Sequence, residues 1–230
     1  MAPRTPLRVA LCWVLGMLAS LAGAQGDLAR PASPSEAPAW ETGQPARAAL
    51  EARLAHLTPL EGAFRQTLED SFGQRLGESE GAFALEPGVG LRWLTREPYE
   101  EALVVNEEGA WLWDPGLQQV LRRPQQDLLH TPAALLLGLD PDWLDGYVIA
   151  HSAPQPGLDR YRLVSRAPGP GAATLSLTWL EEALALLTVE EGSGQRLQLR
   201  FEGLRPRPSA PEDFVFIVPE GAELLDEGAP

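Results

Sequence analysis

The feature that most constrains this chain is a period of two that sets in at Leu60 and persists almost to its end. Leu175, Leu177 and Trp179 alternate with Thr174, Ser176 and Thr178, and Leu197, Leu199 and Phe201 alternate with Gln198, Arg200 and Glu202. Leu91 and Trp93 share a face opposite Arg92. Such segments recur roughly every ten residues, with Gly and Pro between them, the pattern of short antiparallel strands joined by tight turns. Ala82-Phe83-Ala84-Leu85 stops at Pro87-Gly88, and Asn106-Glu107-Glu108-Gly109 turns Leu103-Val104-Val105 into Trp111-Leu112-Trp113. Leu184 to Val189 is a fuller apolar run, and Phe214 and Phe216 close the series. The expected fold is mainly β, one antiparallel sheet of about ten or eleven strands that curls on itself.

Two segments break the alternation. Leu50, Leu54 and Leu57 recur at helical spacing and predict an amphipathic helix that starts near Arg47 and ends before Pro59. Thr131 is a good N-cap, Pro132 suits the first helical position and Gly138 suits the C-terminal end. Between them Ala133-Ala134-Leu135-Leu136-Leu137 is apolar on every side, so this helix cannot lie with one face in water.

Residues 1–24 read as a cleaved export leader. Arg4 and Arg8 precede an apolar run at residues 9–21, and Ala22-Gly23-Ala24 is a small-x-small cleavage site ahead of Gln25. Cys12, the one cysteine, lies inside that run, so the mature chain is expected to carry no disulfide and no lipid anchor. Residues 25–46, rich in Pro, Ala, Ser and Gly, read as a flexible leader, with one domain over 47–230. All 18 basic residues are Arg, two of them in the export leader, against 32 Asp plus Glu. That balance argues against phosphate-backbone binding and adhesion to anionic membranes, and favours a soluble monomer.

Catalytic signals are weak. His56, His130 and His151 are far apart, with no His or Cys neighbour at metal-ligand spacing. Ser152 has no nucleophile-elbow context, and Gly192-Ser193-Gly194 reads as a hairpin turn. Neither an enzyme nor a cofactor is expected. The large aromatics remain. A single curled sheet is either a solid barrel or a container for an apolar ligand, and periodicity does not choose between them.

The order of these pieces resembles the LolA family of periplasmic outer-membrane lipoprotein carriers. The resemblance is carried by the first helix leading into Phe64-Arg65-Gln66, by Pro87 to Trp93, by Trp111-Leu112-Trp113-Asp114-Pro115 with Gln119-Val120, by Thr131-Pro132, and by Phe214-Val215-Phe216 with Pro219-Glu220-Gly221. It covers about residues 47–226. It implies an incomplete barrel with short helices as a lid over an apolar cavity. It also implies lipoprotein acyl chains as cargo, received in the periplasm from the inner-membrane transporter LolCDE and passed to the outer-membrane acceptor LolB. The alternative readings on the same fold are that outer-membrane acceptor itself or a lipid- or lipoprotein-sensing interaction domain.

The residues expected at the acyl-chain and lid site are Leu54, Leu57, Phe64, Leu85, Leu91, Trp93, Trp111, Trp113, Leu135 and Leu136. At least one of Trp111 and Trp113 is expected at the cavity wall. Two departures stand out. Glu86 occupies the position where the family usually has an Arg that ties barrel to lid, and one inserted residue puts Leu91 where a Phe is common. An ionised Glu cannot donate that bond. The lid is therefore expected to be looser, unless Arg92 or Arg96 takes over.

Overall fold

The computed structural model describes residues 39–128, 131–140, 142–167 and 173–228. The export leader, the start of the mature chain and His130 lie outside the described residues. The alternating segments form one sheet of 13 strands: β1 (Glu41–Thr42), β2 (Leu60–Glu69), β3 (Arg75–Glu86), β4 (Gly90–Glu97), β5 (Glu101–Asn106), β6 (Gly109–Asp114), β7 (Gln119–Arg123), β8 (Tyr147–Gln155), β9 (Leu158–Ser165), β10 (Ala173–Leu180), β11 (Ala183–Glu191), β12 (Arg196–Pro206) and β13 (Glu223–Asp226). In space they run β1-β8-β9-β10-β11-β12-β2-β3-β4-β5-β6-β7-β13. The sheet has two free edges, so the barrel is incomplete. Bulges at Glu80/Gly81, Thr178/Trp179 and Glu202/Arg205 add the local bend that curls it.

The count exceeds the expected ten or eleven because both edges carry short additions. β1 has two residues, and β13, four residues long, pairs with β7 in parallel. Neither is long enough to show alternation. Phe214 and Phe216, read from sequence as the last strand, belong instead to a 3-10 turn (Pro211–Phe214) and the extended chain after it.

Register decides which side chains face inward. Phe83, Trp93, Leu103, Leu112 and Leu121 lie directly opposite one another across β3 to β7 and form a row on the concave face. The next row, Ala84, Arg92, Val104, Trp111 and Arg122, faces outward. The core fills the concave side, with Phe64, Leu103, Val105, Tyr161, Leu163, Leu177, Trp179 and Leu187 all buried.

Helix α1 (Gln44–Ala55) starts three residues earlier than expected, inside the segment read as a leader. Pro45 near its first position suits a helix start, and Gly43 ahead of it has φ 86°, a conformation that favours glycine. Ala46 and Leu50, four apart, are fully buried in the core. Arg53 pins the exposed side of α1 by binding Asp159 on β9, which also contacts His151 Nε2 at 2.9 Å. Burial alone would push the Asp159 carboxyl up, but the hydrogen bonds from His151 and Arg53 prevail and hold it below its ordinary value.

Helix α2 (Pro132–Leu137) has the expected ends. Thr131 Oγ1 accepts from Ala134 N–H and donates to Leu128 C=O at 2.8 Å, and Gly138 closes the helix with φ 65°. Ala133, Ala134, Leu135 and Leu137 are all buried, as a helix apolar on every side requires.

A strap after β12 covers part of the convex face. Phe214 is 1 % exposed and fills the space over Gly90, where a Cβ would stand 2.6 Å from its ring. Asn106 Nδ2 donates to Phe214 C=O at 2.9 Å. The Phe216 ring stacks on Trp111 with centroids 6.1 Å apart, and the Arg122 guanidinium lies 5.7 Å from the same indole.

Candidate functional site

Between α2 and the concave sheet lies an apolar cavity of about 40 Å³. Its wall is Phe83 and Leu85 from β3, Leu91 and Trp93 from β4, Leu187 and Val189 from β11, and Leu197, Leu199 and Phe201 from β12. Pro132, Ala133 and Leu136 of α2 form the roof. Four aromatics make a continuous floor. Trp93 stacks on Phe64 at 3.8 Å between centroids, and Phe201 meets Trp93 edge-on at 6.4 Å and Phe83 at 5.2 Å. The arrangement offers hydrocarbon contact from every side, with a short helix as one wall.

The expected site residues divide. Leu85, Leu91, Trp93 and Leu136 come together on the cavity wall, and Phe64 lies directly behind Trp93. Leu135 is buried in the core but does not line the cavity, because it lies on another side of the one-and-a-half-turn helix from Leu136. Leu54 is half-buried against the core, and Leu57, beyond the end of α1, is half-buried; neither reaches the cavity. Trp111 and Trp113 are the clear correction. They do share a face, but it is the convex one. The β5–β6 hairpin pairs Asn106 with Gly109, which places Leu112 opposite Leu103 on the concave side and turns both indoles outward. Trp111 anchors the strap instead.

Glu86 also differs from expectation. Its neighbour Leu85 faces the cavity, so Glu86 points away from it. Though only 5 % exposed, its carboxylate accepts from Ser209 Oγ and from Ala210 N–H at 3.3 Å, both on the strap. Neither Arg92 nor Arg96 replaces a lid-tying arginine. Arg92 Nη1 reaches Asp213 C=O on the strap at 3.4 Å, and Arg96 borders an open groove beside Glu202 and Arg205. Among the described residues the tie between sheet and lid is made by the main chain. Gly88 N–H, in the turn after Glu86, donates to Leu137 C=O at 2.8 Å, one of the carbonyls the end of a helix leaves without an internal partner. With φ 75°, Gly88 holds a conformation other residues seldom adopt.

The wall contributed by β11 and β12 was not singled out from sequence as part of the site. The signal was present, since Leu197, Leu199 and Phe201 alternate cleanly, but it marked a buried face and not which part of that face stays open.

The family model for the outer membrane lipoprotein carrier protein LolA matches residues 55–217. The chain belongs to this family. A protein of Chromohalobacter salexigens named outer-membrane lipoprotein carrier protein is 32% identical over 181 residues, spanning 78% of this chain and 86% of the relative. One of the same name from Azotobacter vinelandii is 33% identical over 171 residues, spanning 73% and 82%. The crystal structure of an uncharacterized conserved protein from Thermus thermophilus is similar in fold, with a TM-score of 0.52 and 13% identity, covering 80% of this chain and 100% of that one. The incomplete barrel with its short lid helix is thus the fold of a lipoprotein-carrier family, and the apolar cavity is its candidate binding site.

Proposed function

We propose that this protein is a periplasmic carrier that takes the acyl chains of lipoproteins under α2, receiving cargo from the inner-membrane transporter LolCDE and delivering it to the outer-membrane acceptor LolB. The observation that carries the reading is the cavity itself, apolar on every wall and roofed by a six-residue helix. Leu54, Leu57 and Leu135 belong to the lid and its surroundings in this reading, and Leu85, Leu91, Trp93 and Leu136 to the acyl contact surface.

Magnitudes favour opening. A long acyl chain gains on the order of 10 kcal/mol on leaving water, at ~0.8 kcal/mol per CH₂. Against opening stand the lid's backbone hydrogen bond, about 1 kcal/mol net, and the burial of Leu135 and Leu137, roughly 1.5–3 kcal/mol each, which together are still less than the gain. A cavity of about 40 Å³ holds a few water molecules and not a long acyl chain. Capacity therefore comes from moving α2 off the sheet, and the cargo supplies the driving force.

Native mass spectrometry of the protein purified from an exporting host tests this. The expected result is a population carrying acylated mass that disappears when Leu91 is changed to Glu. Lipid-free protein throughout, including after incubation with a triacylated lipoprotein, would overturn the carrier reading.

A further inference from the structure

Trp93 is the one side chain of the cavity wall that carries a polar atom. The residue is 4 % exposed, and its indole N–H is buried with no acceptor among the described residues. Nine in ten or more buried polar groups are paired in folded proteins, so an orphan on a side chain that lines the cavity calls for an explanation. The wall cannot supply the acceptor. Every other lining side chain is hydrocarbon, and the carbonyls of strands β3, β4, β11 and β12 face along the sheet into their ladders. Packing against Phe64 and Phe201 explains the size of the ring but not a buried N–H left without an acceptor.

Resting on the carrier reading, we propose that the Trp93 indole N–H donates a hydrogen bond to an acyl carbonyl of the cargo. It is a polar station that fixes how deep the chain enters. The chain beyond the carbonyl then lies against Leu91, Leu136 and Phe201, and the head group points out of the barrel. Ester-linked and amide-linked acyl groups share this carbonyl. An acyl carbonyl stripped of water needs a donor to offset its desolvation, and an aliphatic tail does not. The hydroxyl of Thr95, two residues along the same face of β4, is also buried without a partner but lies outside the cavity wall, so it serves as a control.

The test compares three probes on the full-length mature protein: methyl decanoate, N-methyldecanamide and an alkane of matched size, each displacing a bound fluorescent fatty acid. Trp93→Phe is expected to lower the carbonyl-to-alkane affinity ratio about 5-fold, the scale of one neutral hydrogen bond. Using a ratio cancels the packing change that the smaller ring introduces. Thr95→Val should leave the ratio unchanged. In a ¹⁵N-indole spectrum the Trp93 cross-peak should move downfield with the ester or the amide and stay in place with the alkane. The larger response of the two identifies the linkage recognised. An unchanged ratio in Trp93→Phe, or an equal loss in Thr95→Val, would overturn the carbonyl contact and leave the carrier reading standing. Failure of all three probes to bind the wild type would overturn both.

Discussion

Single residues show where electrostatics works against the fold. Glu101 stands at the start of β5, and its carboxyl is pushed up to about 7, first by burial and then by the charge of Asp114 at the end of β6. The folded chain therefore keeps a proton that the unfolded chain, with an ordinary value of 4.5, has already released. Stability should fall as pH rises from about 4.5 to about 7, and the penalty should be complete above that. Glu101→Gln removes it. Thermal melts are expected to show the variant gaining a few °C at pH 8, on a scale of roughly 2–4 °C per kcal/mol, with the gain vanishing near pH 4. A gain independent of pH would mean that ionisation is not the cause. The tryptophans show what sequence reveals at this scale. Period two correctly puts Trp111 and Trp113 on one face, but Leu103-Val104-Val105 on the neighbouring strand is buried on both faces, because the strap covers the convex one. The apolar–polar contrast that normally tells inside from outside is missing there. Leu91 and Trp93, flanked by exposed Arg92, keep that contrast, and both lie on the cavity wall.

Elements divide the labour between two faces of one sheet. On the concave face α2 roofs the cavity, and both of its ends were legible because Thr131, Pro132 and Gly138 act locally. Its attachment was not legible, since a backbone bond from Gly88 to Leu137 leaves no mark in side-chain identity. The expected looseness of the lid followed from Glu86 alone. With Glu86 bonded to the strap, Glu86→Arg should leave hydrogen exchange of residues 132–137 unchanged, and the Gly88 amide should be protected in the free protein and lose protection when a fatty acid binds. Slower exchange in α2 of the Glu86→Arg variant would restore the side-chain gate. On the convex face the strap is a separate packing unit. Phe214→Ala should cost about 3 kcal/mol or more, as truncation of a buried aromatic does, read as a lower urea midpoint. Affinity for a fatty-acid probe should not change, because Phe214 and the cavity lie on opposite sides of the sheet. A parallel loss of affinity would show the two faces to be coupled.

The whole molecule is a curled sheet made of two runs of sequential antiparallel strands, β2 to β7 and β8 to β12, joined where β12 pairs with β2. That is why its class was legible from alternation and turn spacing, and its two edge strands, too short to alternate, were not. Which stretch of the concave face stays unfilled depends on how α2, β4 and β12 sit together, a matter of side-chain volumes far apart in sequence. The central claim is that cargo chains enter between α2 and the concave sheet and do not touch the tryptophan-bearing convex face. Photo-crosslinking decides it most directly. A photoreactive phenylalanine analogue is placed singly at Leu91 and at Trp113, and each protein is loaded with a triacylated lipoprotein before irradiation. The expected result is capture of the lipoprotein from position 91 and none from position 113. Capture from 113, or none from 91 in a protein that still carries cargo, would contradict the account.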